Sequence, residues 1–179
     1  MTALSLLELP ILDWFQTLQN PLCDAVARFL SVIAANGEVF ILLTLLLLLY
    51  KPTRPVGLVC ATALLLELLV VNITIKPLVA RVRPYDLNPA VRLIVGAPHD
   101  YSFPSGHTGV AFAFAAAVSP LGKKAHTLAL AFACLMGVSR LYLYVHYPTD
   151  VLGGALCGTL CGLTALFLWK KRLDRDIIK

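Results

Sequence analysis

Apolar residues occupy long runs of this chain, and short polar clusters separate the runs. A helix needs roughly 20 mostly apolar residues to cross a bilayer. Residues 55–75, 125–144 and 150–169 are long enough to cross. Residues 105–121 form a shorter run that begins inside a polar cluster, so its first turn is expected below the membrane surface. These four segments are the predicted spans.

The N-terminal third has a weaker pattern. The run at 39–50 is too short to cross alone, so its helix is expected to extend upstream, with a break around Asn36, Gly37 and Glu38. Farther upstream, apolar residues recur at helical spacing with polar residues between them, at Leu12, Phe15, Leu18, Leu22, Val26 and Phe29. This pattern predicts one or two helices in the membrane interface, with a sixth short span as the alternative.

The composition favours a membrane protein over a soluble one. Of the 179 residues, 59% are hydrophobic and 14% are charged, whereas soluble domains carry about 25% charged residues. We therefore predict an all-α fold, an integral membrane helical bundle of five or six transmembrane helices with an N-terminal interfacial helix. One domain would cover 1–179, with interfacial helices at 1–35, a transmembrane core at 36–169 and a basic cytoplasmic tail at 170–179.

Lysine and arginine are enriched on the cytoplasmic side of membrane proteins. If the C-terminus is cytoplasmic, nine of the fifteen basic residues lie on that side: Lys51, Arg54, Lys123, Lys124, Lys170, Lys171, Arg172, Arg175 and Lys179. The bias predicts a multi-pass protein of the plasma (inner) membrane with a cytoplasmic C-terminus. Successive spans cross the membrane in alternating directions, so counting back from a cytoplasmic C-terminus places three polar clusters on the extracytoplasmic face. We expect the active site there.

The first polar cluster reads KPLVARVRP, at 76–84. Lys76 and Arg83 are seven residues apart, two turns if the segment is helical, so both cations could face one way. Pro77 would suit the first turn of that short helix and Pro84 would end it. A basic loop that binds anionic lipid headgroups is the alternative.

The second cluster reads PSGH, at 104–107, and opens an apolar run. Ser105 and Gly106 at a helix start would leave unpaired backbone N–H groups at the positive end of the helix dipole. Such an end is a ready site for an anion. The alternative is a serine N-cap, a glycine for tight packing, and an incidental His107.

The third cluster reads SRLYLYVHYPTD, at 139–150. His146 and Asp150 flank a proline-containing turn, so the carboxylate could hydrogen-bond one ring nitrogen and make the other more basic. Arg140 adds a planar fork suited to bidentate phosphate contact. A structural histidine–aspartate pair that caps two helices is the alternative.

Three cations, a helix N-terminus, two histidines and a carboxylate on one face fit a phosphoryl-transfer site better than three separate accidents. The motifs also resemble the signature of the type 2 phosphatidic acid phosphatase superfamily of membrane lipid phosphatases. That signature reads Lys, six residues, Arg-Pro; then Pro-Ser-Gly-His; then Ser-Arg, five residues, His, three residues, Asp. The chain fills every position, at Lys76, Arg83, Pro84, residues 104–107, Ser139, Arg140, His146 and Asp150.

The resemblance implies catalytic roles for His146, His107 and Asp150. His146 would attack phosphorus and form a phosphohistidine, while Asp150 would orient its ring. His107 would protonate the leaving group and later assist water. The implied phosphate-binding residues are Lys76, Arg83, Ser105, Gly106 and Arg140.

No metal and no cofactor are expected. Asp86 and Asp100 are interpreted as isolated loop acids and Asp150 is assigned to His146, so the motifs lack a carboxylate cluster fit for Mg²⁺. The five cysteines lie in apolar stretches without metal-ligand spacing. We predict hydrolysis by fixed cations, without added metal.

The expected partners are a lipid phosphate substrate and the membrane lipids, with no nucleic acid. The resemblance leaves undecaprenyl pyrophosphate, phosphatidylglycerol phosphate and phosphatidic acid open as substrates. Two other activities also stay open: a lipid phosphotransferase that uses the same phosphohistidine, and a transporter that only binds a lipid phosphate.

Two further features have open interpretations. Glu67 is an acid inside a predicted span, where it would serve either a structural hydrogen bond or the substrate path. Tyr142, Tyr144 and Tyr147 lie near the outer end of the predicted span at 125–144 and are interpreted as aromatic residues of the membrane interface, with contact to the lipid headgroup as the alternative.

Overall fold

The structure, a computed structural model, describes residues 3–35 and 37–177, with side chains described through residue 173. The regular elements in these ranges are helices, which confirms the predicted all-α class. They are α1 Ala3–Thr17, α2 Pro21–Ile33, α3 Glu38–Leu49, α4 Arg54–Glu67, α5 Lys76–Val79, α6 Pro84–Leu87, α7 Gly106–Ala117, α8 Lys123–Tyr142 and α9 Pro148–Ile177. A π-helical segment, Leu68–Ile75, joins α4 to α5 without a break.

Helices long and apolar enough to cross a membrane appear at three of the four predicted spans; at the fourth, 105–121, α7 has only 12 residues. Three stretches qualify by length and composition, namely Lys51–Leu87, Lys123–Tyr142 and Pro148–Leu173. Helices α2 and α3 also qualify as one pair that is bent by 56°. The bend lies at the predicted break, where Gly37 adopts a left-handed φ of 78°; Asn36 lies outside the described residues. The count of five or six spans stays a prediction.

The short helix α7 is the centre of the bundle, packed among α4, α8 and α9. Glycines on α9 allow this close packing. A Cβ atom at Gly158 would lie 2.1 Å from the Gly109 carbonyl oxygen, and one at Gly154 would lie 2.4 Å from the Ser105 carbonyl oxygen. The Ser105 N–H donates to the Asp150 carbonyl at 3.0 Å. The starts of α7 and α9, which carry two of the three motifs, therefore meet at one end of the bundle.

The segment at 76–84 is not the single short helix that its proline spacing predicts. Helix α5 ends at Val79, and Ala80 takes a left-handed φ of 48°. Pro84 begins α6 rather than ending α5, because proline lacks the N–H that a first helical residue leaves unpaired anyway. The turn at Ala80 re-aims the chain between Lys76 and Arg83.

The tyrosines at 142–147 are buried and are not membrane-interface residues. The Tyr144 hydroxyl donates to Asp13 Oδ1 at 2.7 Å, and the Tyr142 hydroxyl donates to Asp24 Oδ1 at 2.5 Å. These hydrogen bonds connect α1 to the segment that follows α8, and α2 to the last residue of α8. A buried phenol usually finds a hydrogen-bond partner for its hydroxyl, and these two find theirs in carboxylates of α1 and α2.

The proposed division at 1–35, 36–169 and 170–179 stays a prediction. Helix α9 continues through Ile177, so most of the predicted basic tail extends the last helix. Lys179 lies outside the described residues, and so does the side chain of Arg175.

Candidate active site

The three motifs meet at one end of the bundle, around a cavity of about 430 Å³. The π-helical segment ends there, α7 and α9 begin there, and α8 ends there. Six predicted site residues line the cavity: Lys76, Arg83, Gly106, His107, Arg140 and His146. Ser105 and Asp150 are fully buried beside it. The structure thus brings all eight predicted site residues to one place.

Lys76 and Arg83 share one acid, Asp100. Lys76 Nζ forms an ion pair with Asp100 Oδ2, and Arg83 Nη2 lies 2.5 Å from Asp100 Oδ1. Arg83 Nε also donates to the Asp100 carbonyl at 2.8 Å. The interpretation of Asp100 as an isolated loop acid was wrong, because the chain fold brings its loop across both cations. Partial burial alone would raise the pKa of Asp100, but hydrogen bonds and charge from Lys76 and Arg83 prevail and lower it to about 2.

His146 lies between Arg83 and Asp150. Its Nε2 atom is 3.4 Å from Arg83 Nη1, and its Nδ1 atom is 3.4 Å from Asp150 Oδ2. Burial lowers the pKa of His146 to about 4; the nearby Arg83 also lowers it, while Asp150 opposes the shift. The ring is therefore neutral at neutral pH, the state in which an imidazole nitrogen has a free lone pair.

Asp150 has more partners than the sequence predicts. Its Oδ2 atom accepts the Ser102 hydroxyl and the Tyr147 N–H, the latter at 2.9 Å. Its Oδ1 atom accepts from Arg81 Nη1 at 2.6 Å. The carboxylate beside His146 is thus held on both oxygens.

Two residues of this network, Arg81 and Glu8, are absent from the sequence-based site. Arg81 Nη2 lies 2.5 Å from Glu8 Oε2, and its guanidinium stacks 3.9 Å above the ring centre of Tyr147. Arg81 lies within the first motif but not at a signature position. Glu8 has a weak sequence signal, a single acid in the apolar stretch LSLLELPIL. Only the docking of α1 brings it to the site.

Ser105 and Gly106 form the start of α7. Ser105 is the N-cap, and its Oγ accepts from Thr108 Oγ1 at 3.0 Å. A Cβ atom at Gly106 would lie 2.9 Å from Asn72 Oδ1 and 3.6 Å from Lys76 Nζ. Glycine therefore lets Lys76 approach the first turn of α7. The Ser105 hydroxyl holds that turn rather than lining the cavity.

Arg140 and His107 occupy the other side of the cavity. Arg140 is 2% exposed, and its hydrogen-bond partners among the described residues are neutral: Nε and Nη2 donate to Ser139 Oγ at 3.1 and 3.0 Å, and Nη1 donates to Ser31 Oγ at 3.2 Å. Within the described part of the chain, Arg140 has no acid within ion-pair distance. His107 Nε2 is buried without a hydrogen-bond partner there. A buried cation beside an unpartnered imidazole is an environment that favours a bound anion.

Glu67 lines the same cavity. The Asn72 side-chain amide donates to Glu67 Oε2 at 3.3 Å, so a structural hydrogen bond is present. Glu67 Oε1 is buried without a hydrogen-bond partner and would clash with a side chain at Gly109. Among the described residues, histidine, cysteine and acidic side chains form no group of three that could hold a metal ion.

Known proteins are similar to this chain in sequence and in fold. The chain is 32% identical over 122 residues to an undecaprenyl-diphosphatase of Sulfolobus acidocaldarius; the match covers 68% of this chain and 59% of that protein, so this chain spans less than two thirds of that relative.

Two solved structures are also similar. LpxE of Aquifex aeolicus aligns with a TM-score of 0.76 at 30% identity, covering 89% of this chain and 94% of that one. A transmembrane PAP2 type phosphatidylglycerolphosphate phosphatase from Bacillus subtilis aligns with a TM-score of 0.78 at 24% identity, covering 96% and 88%; at that identity the match shows the fold.

The family model described as PAP2 superfamily matches residues 55–174. This range covers two thirds of the chain and contains all three motifs and all eight predicted site residues. The chain therefore belongs to the PAP2 superfamily.

Proposed function

We propose that this chain is a membrane lipid phosphatase that hydrolyses a phosphomonoester or pyrophosphate of a lipid through a phosphohistidine on His146. The observation that carries the proposal is the cavity in which a neutral, buried histidine faces fixed cations. Arg140 supports it most directly, since its buried charge has no acid partner among the described residues. Membership of the PAP2 superfamily, whose relatives include phosphatases of lipid phosphates, supports it as well.

The first chemical step is attack by His146. A proton on Nδ1 would face Asp150 and leave the lone pair of Nε2 free to attack phosphorus. The N–P bond forms as the bond from phosphorus to the leaving oxygen breaks. His107 gives its proton to that oxygen, and Asp150 stabilises the positive charge that the phosphorylated ring acquires.

The second step is hydrolysis of the phosphohistidine. His107, now neutral, takes a proton from water while the water oxygen attacks phosphorus. The N–P bond breaks, inorganic phosphate leaves, and His146 returns to its neutral form. The same two histidines therefore serve both steps, and no proton is gained or lost by the protein over the cycle.

Phosphate binding falls to Lys76, Arg83, Arg140 and the first turn of α7 at Gly106. Three positive side chains can stabilise the equatorial oxygens as charge shifts during transfer. Asp100 offsets part of the charge of Lys76 and Arg83, and it holds both side chains at the cavity wall. We assign Ser105 to fixing the α7 turn, and we propose that neither a metal nor a cofactor takes part.

The cavity also suits a lipid. Its polar end is continuous with an apolar wall contributed by Ile41, Leu64, Leu65 and Leu68, where an acyl or prenyl chain could lie. We propose that the site faces the extracytoplasmic side of the plasma membrane and that the C-terminus is cytoplasmic, because the basic residues favour that orientation. Undecaprenyl pyrophosphate, phosphatidylglycerol phosphate and phosphatidic acid are the candidate substrates.

The test is release of inorganic phosphate by the purified protein in detergent micelles containing EDTA, with each candidate substrate in turn. We expect release from at least one substrate, and none from His146→Ala. Equal release by wild type and His146→Ala would contradict the mechanism. Transfer to an added acceptor lipid without phosphate release would indicate a phosphotransferase, and the absence of both would indicate binding or transport.

A further inference from the structure

Helix α1 lies outside the region that the PAP2 family model matches. Its Glu8 is nevertheless linked through Arg81 to Asp150, the acid beside His146. Glu8 on this helix is 5% exposed. Its Oε1 atom accepts the Thr149 N–H at 2.7 Å, and its Oε2 atom accepts the Thr149 hydroxyl at 2.9 Å. A buried carboxylate is costly unless it is paired and hydrogen-bonded, and Glu8 meets both conditions through Thr149 and Arg81.

Arg81 connects Glu8 to Asp150. Its Nη2 atom lies 2.5 Å from Glu8 Oε2, and its Nη1 atom donates to Asp150 Oδ1 at 2.6 Å and to Thr149 Oγ1 at 2.7 Å. One cation is therefore shared by two carboxylates, with a net charge of minus one for the three groups. If Arg81 paired with Asp150 alone, it would cancel the charge that Asp150 presents to His146.

We infer that Glu8 and Arg81 are positioning residues that hold Asp150 in place and preserve the negative charge with which it supports His146. The inference rests on the proposed function, because it concerns the charged imidazole formed in that reaction. Arg81 fixes Asp150 Oδ1, which leaves Oδ2 turned to the His146 ring, 3.4 Å away. Glu8 offsets the positive charge of Arg81.

Charged groups surround His146, Asp150 and Arg81. His146 is faced by Arg83, Lys76 and His107 in addition to Asp150. Asp150 is faced by Arg81 and His146, and Arg81 is faced by Glu8. Asp100 lines the same cavity, but it is paired with Lys76 and Arg83. Asp150 is the acid within ion-pair distance of His146, so its negative charge decides how well a positive imidazole is tolerated. Loss of the Glu8 charge should therefore disfavour it.

The test compares Glu8→Gln with Asp13→Asn. Both variants remove one negative charge from α1, but Asp13 is exposed and bonds to Tyr144 rather than to Arg81 or Asp150. We expect Glu8→Gln to lower kcat roughly tenfold, about the effect of one pKa unit of charge stabilisation, with KM nearly unchanged. Asp13→Asn should retain wild-type kcat, and Glu8→Asp, which keeps the charge, should recover part of the loss.

A second readout does not depend on turnover. In ¹⁵N-labelled protein, the ring signals of His146, assigned with His146→Ala, should titrate at a lower pH in Glu8→Gln than in wild type. Asp13→Asn should leave that titration unchanged. If Glu8→Gln does not purify as folded protein, Arg81→Lys replaces it; it keeps the charge but cannot bridge both acids, and kcat should again fall with KM unchanged.

The outcomes separate the two proposals. Equal kcat and equal His146 titration in Glu8→Gln and Asp13→Asn would overturn the positioning role, even if wild type hydrolyses a lipid phosphate. A wild type without hydrolysis would overturn the proposed function. In that case a His146 titration that still shifts in Glu8→Gln alone would support the charge coupling, and one that does not shift would overturn it.

Discussion

The two ends of the bundle treat their basic residues in opposite ways. At the site end, Lys76, Arg83 and Arg140 are buried. At the other end, where α4 and α8 begin, Lys51, Lys123 and Lys124 are exposed. Exposed lysines near helix ends are inexpensive, because their charges remain in water. Buried cations are expensive unless they are paired or meet an anion.

This difference indicates which basic residue is available to bind an anion. Lys76 and Arg83 share Asp100, and Arg81 is bridged between Glu8 and Asp150. Among the described residues, Arg140 has only serine hydroxyls as hydrogen-bond partners. The site end therefore keeps one buried cation available to an anion, whereas the opposite end fits a role in membrane orientation.

The largest effect is expected from His146→Ala. Removal of a nucleophile should lower phosphate release on the order of 10⁴-fold or more, while the bundle stays folded because His146 lies in the turn between α8 and α9, outside both helices. The measurement is initial-rate phosphate release, with circular dichroism as the check on folding. Residual activity within tenfold of wild type would contradict the assignment of His146.

Arg140→Gln tests whether buried and exposed cations at the two ends of the bundle differ in their effect on the rate. Loss of the unpaired buried cation should lower kcat/KM on the order of 10²-fold, as for removal of one donor to a developing oxyanion. Lys123→Gln and Lys124→Gln, at the opposite end, should retain wild-type rates in the same assay. Equal losses from Arg140→Gln and from either lysine variant would mean that overall charge, and not the site, controls the rate.

The pH profile tests the protonation state of His146. Attack needs the neutral ring, and burial lowers the pKa of His146 to about 4. The acid limb of kcat/KM, which reports the free enzyme, should therefore fall about tenfold for each pH unit below that value, instead of starting near the ordinary histidine value of about 6.5. An acid limb centred near 6.5 would show that the ring is not held neutral.

The smallest effect is expected from Asp100→Asn. Because the folded-state pKa of Asp100 is about 2 and the unfolded value is about 4, its ion pairs stabilise the fold above pH 4 and weaken as pH falls towards 2. Asp100→Asn should be slightly less stable than wild type at pH 6, and the difference should shrink at pH 2.5. Melting temperatures in detergent at both values measure this; a constant difference would contradict it.

Much of the fold could be predicted because the signals are local. Runs of apolar residues predicted the three long spans, and the glycine near the α2–α3 bend predicted the break. The order and spacing of the three motifs also brought His107 and His146 to one end of the bundle. The helices and the break depend only on residues that are near one another along the chain, whereas the meeting of the two histidines was predicted from the alternation of spans and the family resemblance.

Other features could not be predicted, because they depend on which distant segments meet. Asp100 reaches Arg83 across 17 positions, and Glu8 reaches Thr149 across 141. The burial of Tyr142 and Tyr144 depends likewise on where α1 and α2 dock. The short segment at 76–84 also differs from the single helix that its prolines predict. Its turn at Ala80 lies between two cations that both contact Asp100.

By itself, the sequence determined the helical class and the long apolar helices, since apolar runs are properties of the local chain, and the resemblance of its three motifs to the family signature implied the eight residues that meet at the cavity. The tertiary structure alone decided how the charges are partnered: Asp100 between Lys76 and Arg83, and Glu8 linked through Arg81 to Asp150. Ion pairs require charged groups within about 4 Å of each other, and only the packed bundle defines those distances.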